Sequence, residues 1–230
     1  MCAQRVDNKY CLPIIKPTRA EVEEVLKKNI NKFRYAEVWL DYIEDIDPGF
    51  AASLVGQYPN RLVMVFRRRN LGAMKITPET RFKIINTLSR KQVLVDMDIT
   101  VQADDISRLQ TARIPVKSIL SYHNFSQTPS DTVLRSIVSR MKGWNAHVIK
   151  IATHCTTQRD ALRLLSLLID LRESGNKSII LGMGKHGVIT RVFGSVWGNE
   201  MAFAPIEAAS RSAAGQITVD KLDSIMQALG

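Results

Sequence analysis

Apolar, β-branched runs and amphipathic helical stretches alternate about eight times along this chain of 230 residues. The apolar runs are Tyr10 to Lys16, Ala36 to Ile43, Leu62 to Arg68, Gln92 to Ile99, Val116 to Phe125, His147 to Thr153, Lys177 to Gly184 and Met201 to Ile206. Strands that read as near-continuous apolar runs belong to parallel sheets covered on both faces. Helix-start signals stand between them: Thr18-Arg-Ala-Glu21, Asp47-Pro48, Thr77-Pro78-Glu79 and Thr157-Gln-Arg-Asp160. Each pairs a capping side chain with a proline or an acid in the first turn. The helices are expected to reach about Phe33, Tyr58, Arg90, Arg113, Trp144, Gly175, Trp197 and Leu229. Strict alternation at this length predicts an α/β protein, a (β/α)8 TIM barrel, in one domain over residues 1–230. A doubly wound open sheet satisfies the same pattern and stays open at this point.

Strand phase says what such a barrel would turn inward, because successive side chains point to opposite faces. Glu37, Trp39 and Asp41 share a face on the second run, and Arg67 is in phase with Val63 and Val65 on the third. Asp96 and Asp98 share one on the fourth, His123 follows Ile119 and Ser121 on the fifth, and Lys150 lies between Val148 and Ala152 on the sixth. Five consecutive strands thus place ionisable groups on one face, late in most of them. That predicts a polar, charge-compensated pocket at the C-terminal mouth. Asp41, Asp96 and Asp98 are read as structural counter-ions deeper in the barrel. A buried lysine is either paired or a nucleophile whose proton is lost through burial or a neighbouring cation such as Arg67. His123 suits the proton transfers that an imine on Lys150 would require. His147 falls on the opposite face, and His154 and His186 fall in loops.

Two further stretches carry candidate chemistry. Gly182-Met-Gly184-Lys-His-Gly187 matches GxGxxG, but too little chain follows for the second half of a dinucleotide fold. Its backbone amides and Arg191, on the next turn, are instead candidates for meeting an anion. Ser210-Arg-Ser212-Ala-Ala-Gly215-Gln216 reads as a mobile lid with hydrogen-bond donors. The formal charge of +10 fits a nucleic-acid surface, steering of a small anion, or drift of composition. The basic residues are scattered without an aromatic-and-basic repeat, so no nucleic-acid partner is expected. Cys2, Cys11 and Cys155 are not at metal-ligand spacing and read as reduced thiols. With no signal-peptide core and no membrane-length apolar run, a cytoplasmic protein with no membrane partner is expected.

The order Glu37, Phe66-Arg67, Ser121-Tyr-His123-Asn-Phe, Lys150-Ile-Ala, Met183-Gly, Arg191 and Ser212-Ala-Ala-Gly-Gln216 resembles the type I 3-dehydroquinate dehydratases. The resemblance covers essentially the whole chain. It implies a (β/α)8 barrel of the shikimate pathway, commonly a homodimer, that dehydrates 3-dehydroquinate to 3-dehydroshikimate. Position by position it implies that Lys150 forms the Schiff base and that His123 moves the protons. It further implies that Arg191, Ser212 and Gln216 hold the substrate carboxylate, and that Glu37 and Arg67 bind ring hydroxyls. It implies no metal and no dissociable cofactor, the lysine itself being the electron sink. Two positions depart: Trp39 stands where the family usually has arginine, and Leu71 where a glutamate commonly orients the histidine. Another Schiff-base lyase or aldolase, and a catalytically impaired barrel kept for binding, are the alternatives.

Overall fold

Five of the helices start where a loop side chain captures a first-turn amide. Thr18 accepts from the Glu21 N–H, Asp47 from Phe50, Thr77 from Thr80, Ser130 from Val133 and Thr157 from Asp160. Pro48 and Pro78 add a preset φ just inside two of these helices. The reciprocal capping box forms at Thr157 and Asp160. At the Thr18 start the Glu21 carboxylate instead accepts from the Thr18 hydroxyl.

The computed structural model describes residues 10–229; Cys2 lies outside the described residues. The strands are β1 Tyr10–Ile14, β2 Tyr35–Trp39, β3 Leu62–Val65, β4 Leu94–Asp98, β5 Ser118–Asn124, β6 Val148–His154, β7 Ser178–Met183 and β8 Ala202–Phe203. The alternating helices are α1 Arg19–Asn29, α2 Pro48–Gln57, α3 Pro78–Leu88, α4 Ala103–Thr111, α5 Asp131–Gly143, α6 Gln158–Glu173, α7 Gly184–Trp197 and α8 Val219–Ala228. All strand pairs are parallel, and β8 lies beside β1, so the sheet curls into a barrel and the open-sheet alternative falls away. The β7–β8 seam has no strand ladder. There the Asn199 amide takes the place of a strand, donating to the Ile180 carbonyl at 3.2 Å and accepting from its N–H at 2.7 Å. The Glu200 N–H adds a bond to the Ser178 carbonyl at 2.8 Å.

Two apolar cores result. The larger lies between the strands and the helices around them. The smaller fills the barrel with Cys11, Val63, Val65, Ile119, Val148, Ile179 and Met201, topped by Trp39, Ala152, Leu181 and Phe203. Trp39, Val63, Val65, Ile119, Val148 and Ala152 among them are residues the phase argument turns inward; β1, β7 and β8, which it did not phase, add Cys11, Ile179, Leu181 and Phe203.

Several strands stop earlier than their apolar runs. β2 ends at Trp39, and Leu40–Tyr42 form a single 3-10 turn. Asp41 therefore is not a counter-ion within the barrel. Its carboxylate accepts from the Lys75 and Ile76 amides and from Arg68, which pins the loop before α3. β3 ends at Val65, leaving Arg67 just past the strand, and β8 is two residues long. His154 is the last residue of β6 rather than part of a loop. The GxGxxG match is explained by packing. A Cβ on Gly187 would come within 2.3 Å of the Gly182 backbone, so these glycines let α7 lie directly on β7.

Candidate active site

Glu37, Arg67, His123, Lys150, Arg191, Ser212 and Gln216 all line one pocket at the C-terminal mouth. Phe203, Arg69 and Asn70, which the strand patterns did not single out, line it too. β6 carries Lys150 from below, its neighbour β5 carries His123, and the loop after β8 covers both.

Lys150 is paired rather than isolated. Its Nζ donates to Asp96 Oδ2 at 2.8 Å and to Glu37 Oε1 at 3.3 Å, and it lies 4.2 Å from the centre of the Phe203 ring. Arg67 grips the same Asp96 through two nitrogens, at 2.6 and 3.2 Å, and Ser121 donates to it at 2.6 Å. Arg67 is therefore not a bare cation beside the lysine: Asp96 and Glu37 stand between their charges. Burial alone would push the Asp96 carboxyl up, but Arg67 and Lys150 hold it far below the usual carboxylate range. Burial likewise opposes the Arg67 charge, and Asp96 and Glu37 outweigh it and raise its pKa. Asp96 is thus the hub of the site and not only a counter-ion.

His123 presents Nδ1 to Asp98 Oδ2 at 2.6 Å and stacks on Phe125. Burial, then Arg67, lowers the imidazole pKa, while Asp98 opposes the shift. The phase argument turned Asp98 inward as a structural counter-ion; the pairing of Asp98 with Ser121 on β5 brings it within reach of the histidine two residues on.

Glu37 is also engaged on its other oxygen, which accepts from the Trp39 indole N–H at 2.8 Å. Leu71, half-buried with φ of 55°, is not among the residues lining the pocket. Arg191 is buried, donates to the Ala214 carbonyl at 3.2 Å, and its Nε has no hydrogen-bond partner among the described residues. Burial pushes its pKa down to about 10, so it is a guanidinium in want of an anion. Ser212 and Gln216 satisfy one another, with Gln216 Nε2 donating to Ser212 Oγ and Ser212 N–H donating to Gln216 Oε1, both at 2.8 Å. Arg69 reaches across to the Arg211 carbonyl at 2.8 Å and ties the loop after β3 to this lid. Among the described residues no group of three or more His, Cys, Asp or Glu is arranged to hold a metal ion.

A family model described as type I 3-dehydroquinase matches residues 10–230. The chain belongs to the type I 3-dehydroquinase family. A 3-dehydroquinate dehydratase of Listeria welshimeri is 30% identical over 235 residues, covering 96% of this chain and 92% of the relative. One from Coxiella burnetii is 28% identical over 223 residues, covering 95% and 92%. Among solved structures, type I 3-dehydroquinate dehydratase from Clostridium difficile superposes with a TM-score of 0.80 at 24% identity, over 96% of this chain and 92% of that one. The Geobacillus kaustophilus enzyme gives 0.79 at 22% identity, over 97% and 91%. These superpositions bear on the fold, and they agree with the barrel. Within a type I 3-dehydroquinase barrel, Trp39 occupies one wall of the pocket and ties up Glu37, while Leu71 offers the histidine no acceptor.

Proposed function

We propose that this protein dehydrates 3-dehydroquinate to 3-dehydroshikimate through a covalent imine on Lys150. The observation that carries the reading is one buried pocket holding a lysine, a neutralising carboxylate pair, a histidine and an unsatisfied guanidinium. In this mechanism Lys150 gives up a proton, attacks the C3 ketone and expels its oxygen as water, leaving an iminium. The iminium carries the charge the ammonium carried, so Asp96 and Glu37 stabilise it in the same place. It also acidifies the C2–H bond. Nε2 of His123 takes that proton, and the electron pair forms the enamine. The enamine then expels the C1 hydroxyl, which takes the proton back from His123 and leaves as a second water. Hydrolysis of the conjugated iminium consumes one water, releases the enone and restores Lys150. The lysine nitrogen is the electron sink throughout, so neither metal nor dissociable cofactor has a role in this scheme.

Arg191 supplies the electrostatic anchor for the substrate carboxylate, with Ser212 and Gln216 exchanging their mutual bonds for bonds to substrate as the lid settles. A charge-assisted bond of this kind is worth about 1.5–3 kcal/mol. Arg191→Ala should therefore raise KM about 10- to 100-fold in steady-state kinetics, while borohydride trapping at saturating substrate persists. An unchanged KM would remove Arg191 from the carboxylate site. Glu37, bonded to Lys150 and Trp39, and Arg67, bonded to Asp96, both line the pocket, which supports the reading that they bind the ring hydroxyls.

The same reading extends to a cytoplasmic homodimer. Cys11 and Cys155 are free, buried thiols, which accords with a reducing compartment. Among the described residues no helix is long and apolar enough to cross a membrane. The neighbouring helices α6 and α7 each expose an apolar pair seven residues apart, Leu162 with Ile169 and Ile189 with Val196. A stripe of this kind is suited to burial against a second copy. Sedimentation should give twice the chain mass of 25.9 kDa, and Leu162→Glu with Val196→Glu should halve it. A monomer at micromolar concentration would contradict the dimer.

A further inference from the structure

We infer that Asp98, the last residue of β4, is the positioning residue for His123, fixing the Nδ1–H tautomer and aiming Nε2 into the pocket. This rests on the reading of His123 as the proton carrier. Three observations carry it. First, Asp98 Oδ2 lies 2.6 Å from His123 Nδ1, and the carboxylate is fully buried. An ionised carboxylate only accepts, so a contact of that length requires the proton on Nδ1 and leaves Nε2 with its lone pair. Secondly, the carboxylate is itself held. Its Oδ1 accepts from the Thr100 amide at 2.8 Å and from the Thr100 hydroxyl, while Gln102 Oε1 accepts from the Asp98 amide at 3.0 Å. One oxygen is spent on fixing the carboxyl plane and the other is free for the imidazole. Burial would raise the Asp98 pKa, but the bonds to His123 and Thr100 lower it, so the group stays ionised. Thirdly, the loop position that would supply an orienting glutamate holds Leu71, which has no acceptor and does not line the pocket. The orienting carboxylate has thus moved from a loop to a strand end. His123 is set by the barrel itself, independently of how the loop after β3 and the lid are arranged.

The charged groups facing His123 are Asp98 and Asp96 from β4, Lys150 from β6 and Arg67 from just past β3. Removing Asp98 takes away the carboxylate that raises the histidine pKa and leaves burial and Arg67 lowering it. The acid limb of the kcat/KM profile should then move to lower pH in Asp98→Ala, a displacement a merely structural role would not produce.

The test uses the whole chain. In the unaltered protein, nitrogen-15 NMR of the imidazoles should show His123 with its proton on Nδ1. Asp98→Asn should lower kcat about 100- to 1,000-fold, with KM within about threefold and with borohydride trapping on Lys150 retained. Asp98→Glu should recover part of kcat. Thr100→Val, which keeps the charge and the backbone N–H bond to Oδ1 but removes the hydroxyl bond, should lower kcat less than Asp98→Asn does and guards against loss through misfolding. Retention of kcat in Asp98→Asn, or a proton on Nε2 in the unaltered protein, would overturn the assignment. If the unaltered protein shows the Nδ1–H tautomer and loses it in Asp98→Asn but does not turn over 3-dehydroquinate, the functional reading fails while the role of Asp98 stands.

Discussion

Lys150→Met should lose 3-dehydroquinate turnover by about 10⁴-fold or more, because it removes the atom that forms the imine. The substitution is chosen for its shape: methionine is unbranched like the lysine stem, which is buried on β6 in phase with Val148 and Ala152. The fold should tolerate it. Breaking an isolated buried ion pair costs ~3–5 kcal/mol, since the surviving charge is stranded. Here Asp96 keeps two bonds from Arg67 and one from Ser121, and Glu37 keeps the indole N–H of Trp39. A loss of turnover with an unchanged circular dichroism spectrum and a melting temperature within a few degrees would therefore report chemistry, not unfolding. Lys150→Arg separates charge from nucleophilicity. It preserves a cation beside Asp96 yet offers no amine, and should be as inactive as the methionine variant. Activity within tenfold of the unaltered protein in either variant would rule out the covalent route.

His123→Ala should divide the reaction in two. Imine formation depends on the lysine and on anchoring by Arg191, so substrate should still become attached to Lys150. Proton removal from C2 should slow by about 10²- to 10⁴-fold, the range that a positioned general base contributes. Single-turnover measurement would then show an imine that accumulates, followed by slow appearance of the conjugated product in the ultraviolet. With C2-deuterated substrate the slow phase should carry a primary isotope effect. A variant whose imine converts at the original rate would take His123 out of the mechanism. His154, which ends β6 against Gly184, does not line the pocket and offers no replacement base.

The barrel was legible because strand and helix signals are local and repeat, and because parallel strands buried on both faces leave long apolar runs. The site was legible one strand at a time. Phase correctly turned Glu37, Asp96, Asp98, His123 and Lys150 inward, since alternation is a property of the backbone. What phase does not encode is depth. Register between neighbouring strands decides which charges meet, and it put Asp98 opposite Ser121, close to His123, and Asp96 between Arg67 and Lys150. Depth along the barrel separates a counter-ion from a partner in catalysis, and a single sequence gives no register. Asp41 fell outside the pattern for a related reason: the backbone turns at Trp39, so alternation no longer applies after it. Phe203 escaped notice because the run Met201 to Ile206 carries no ionisable group on its strand face to mark the pocket, and the structure keeps only Ala202–Phe203 of it as strand. The contact from Arg69 to Arg211 joins residues 142 apart and has no local signature.

The claim on which the rest depends is that Lys150 becomes covalently attached to substrate. Incubation of the protein with 3-dehydroquinate and borohydride, followed by peptide mass spectrometry, tests it directly. The account predicts a reduced adduct on the peptide containing Lys150, absent without substrate and absent in Lys150→Met. Turnover without any adduct, or an adduct confined to another lysine, would contradict it.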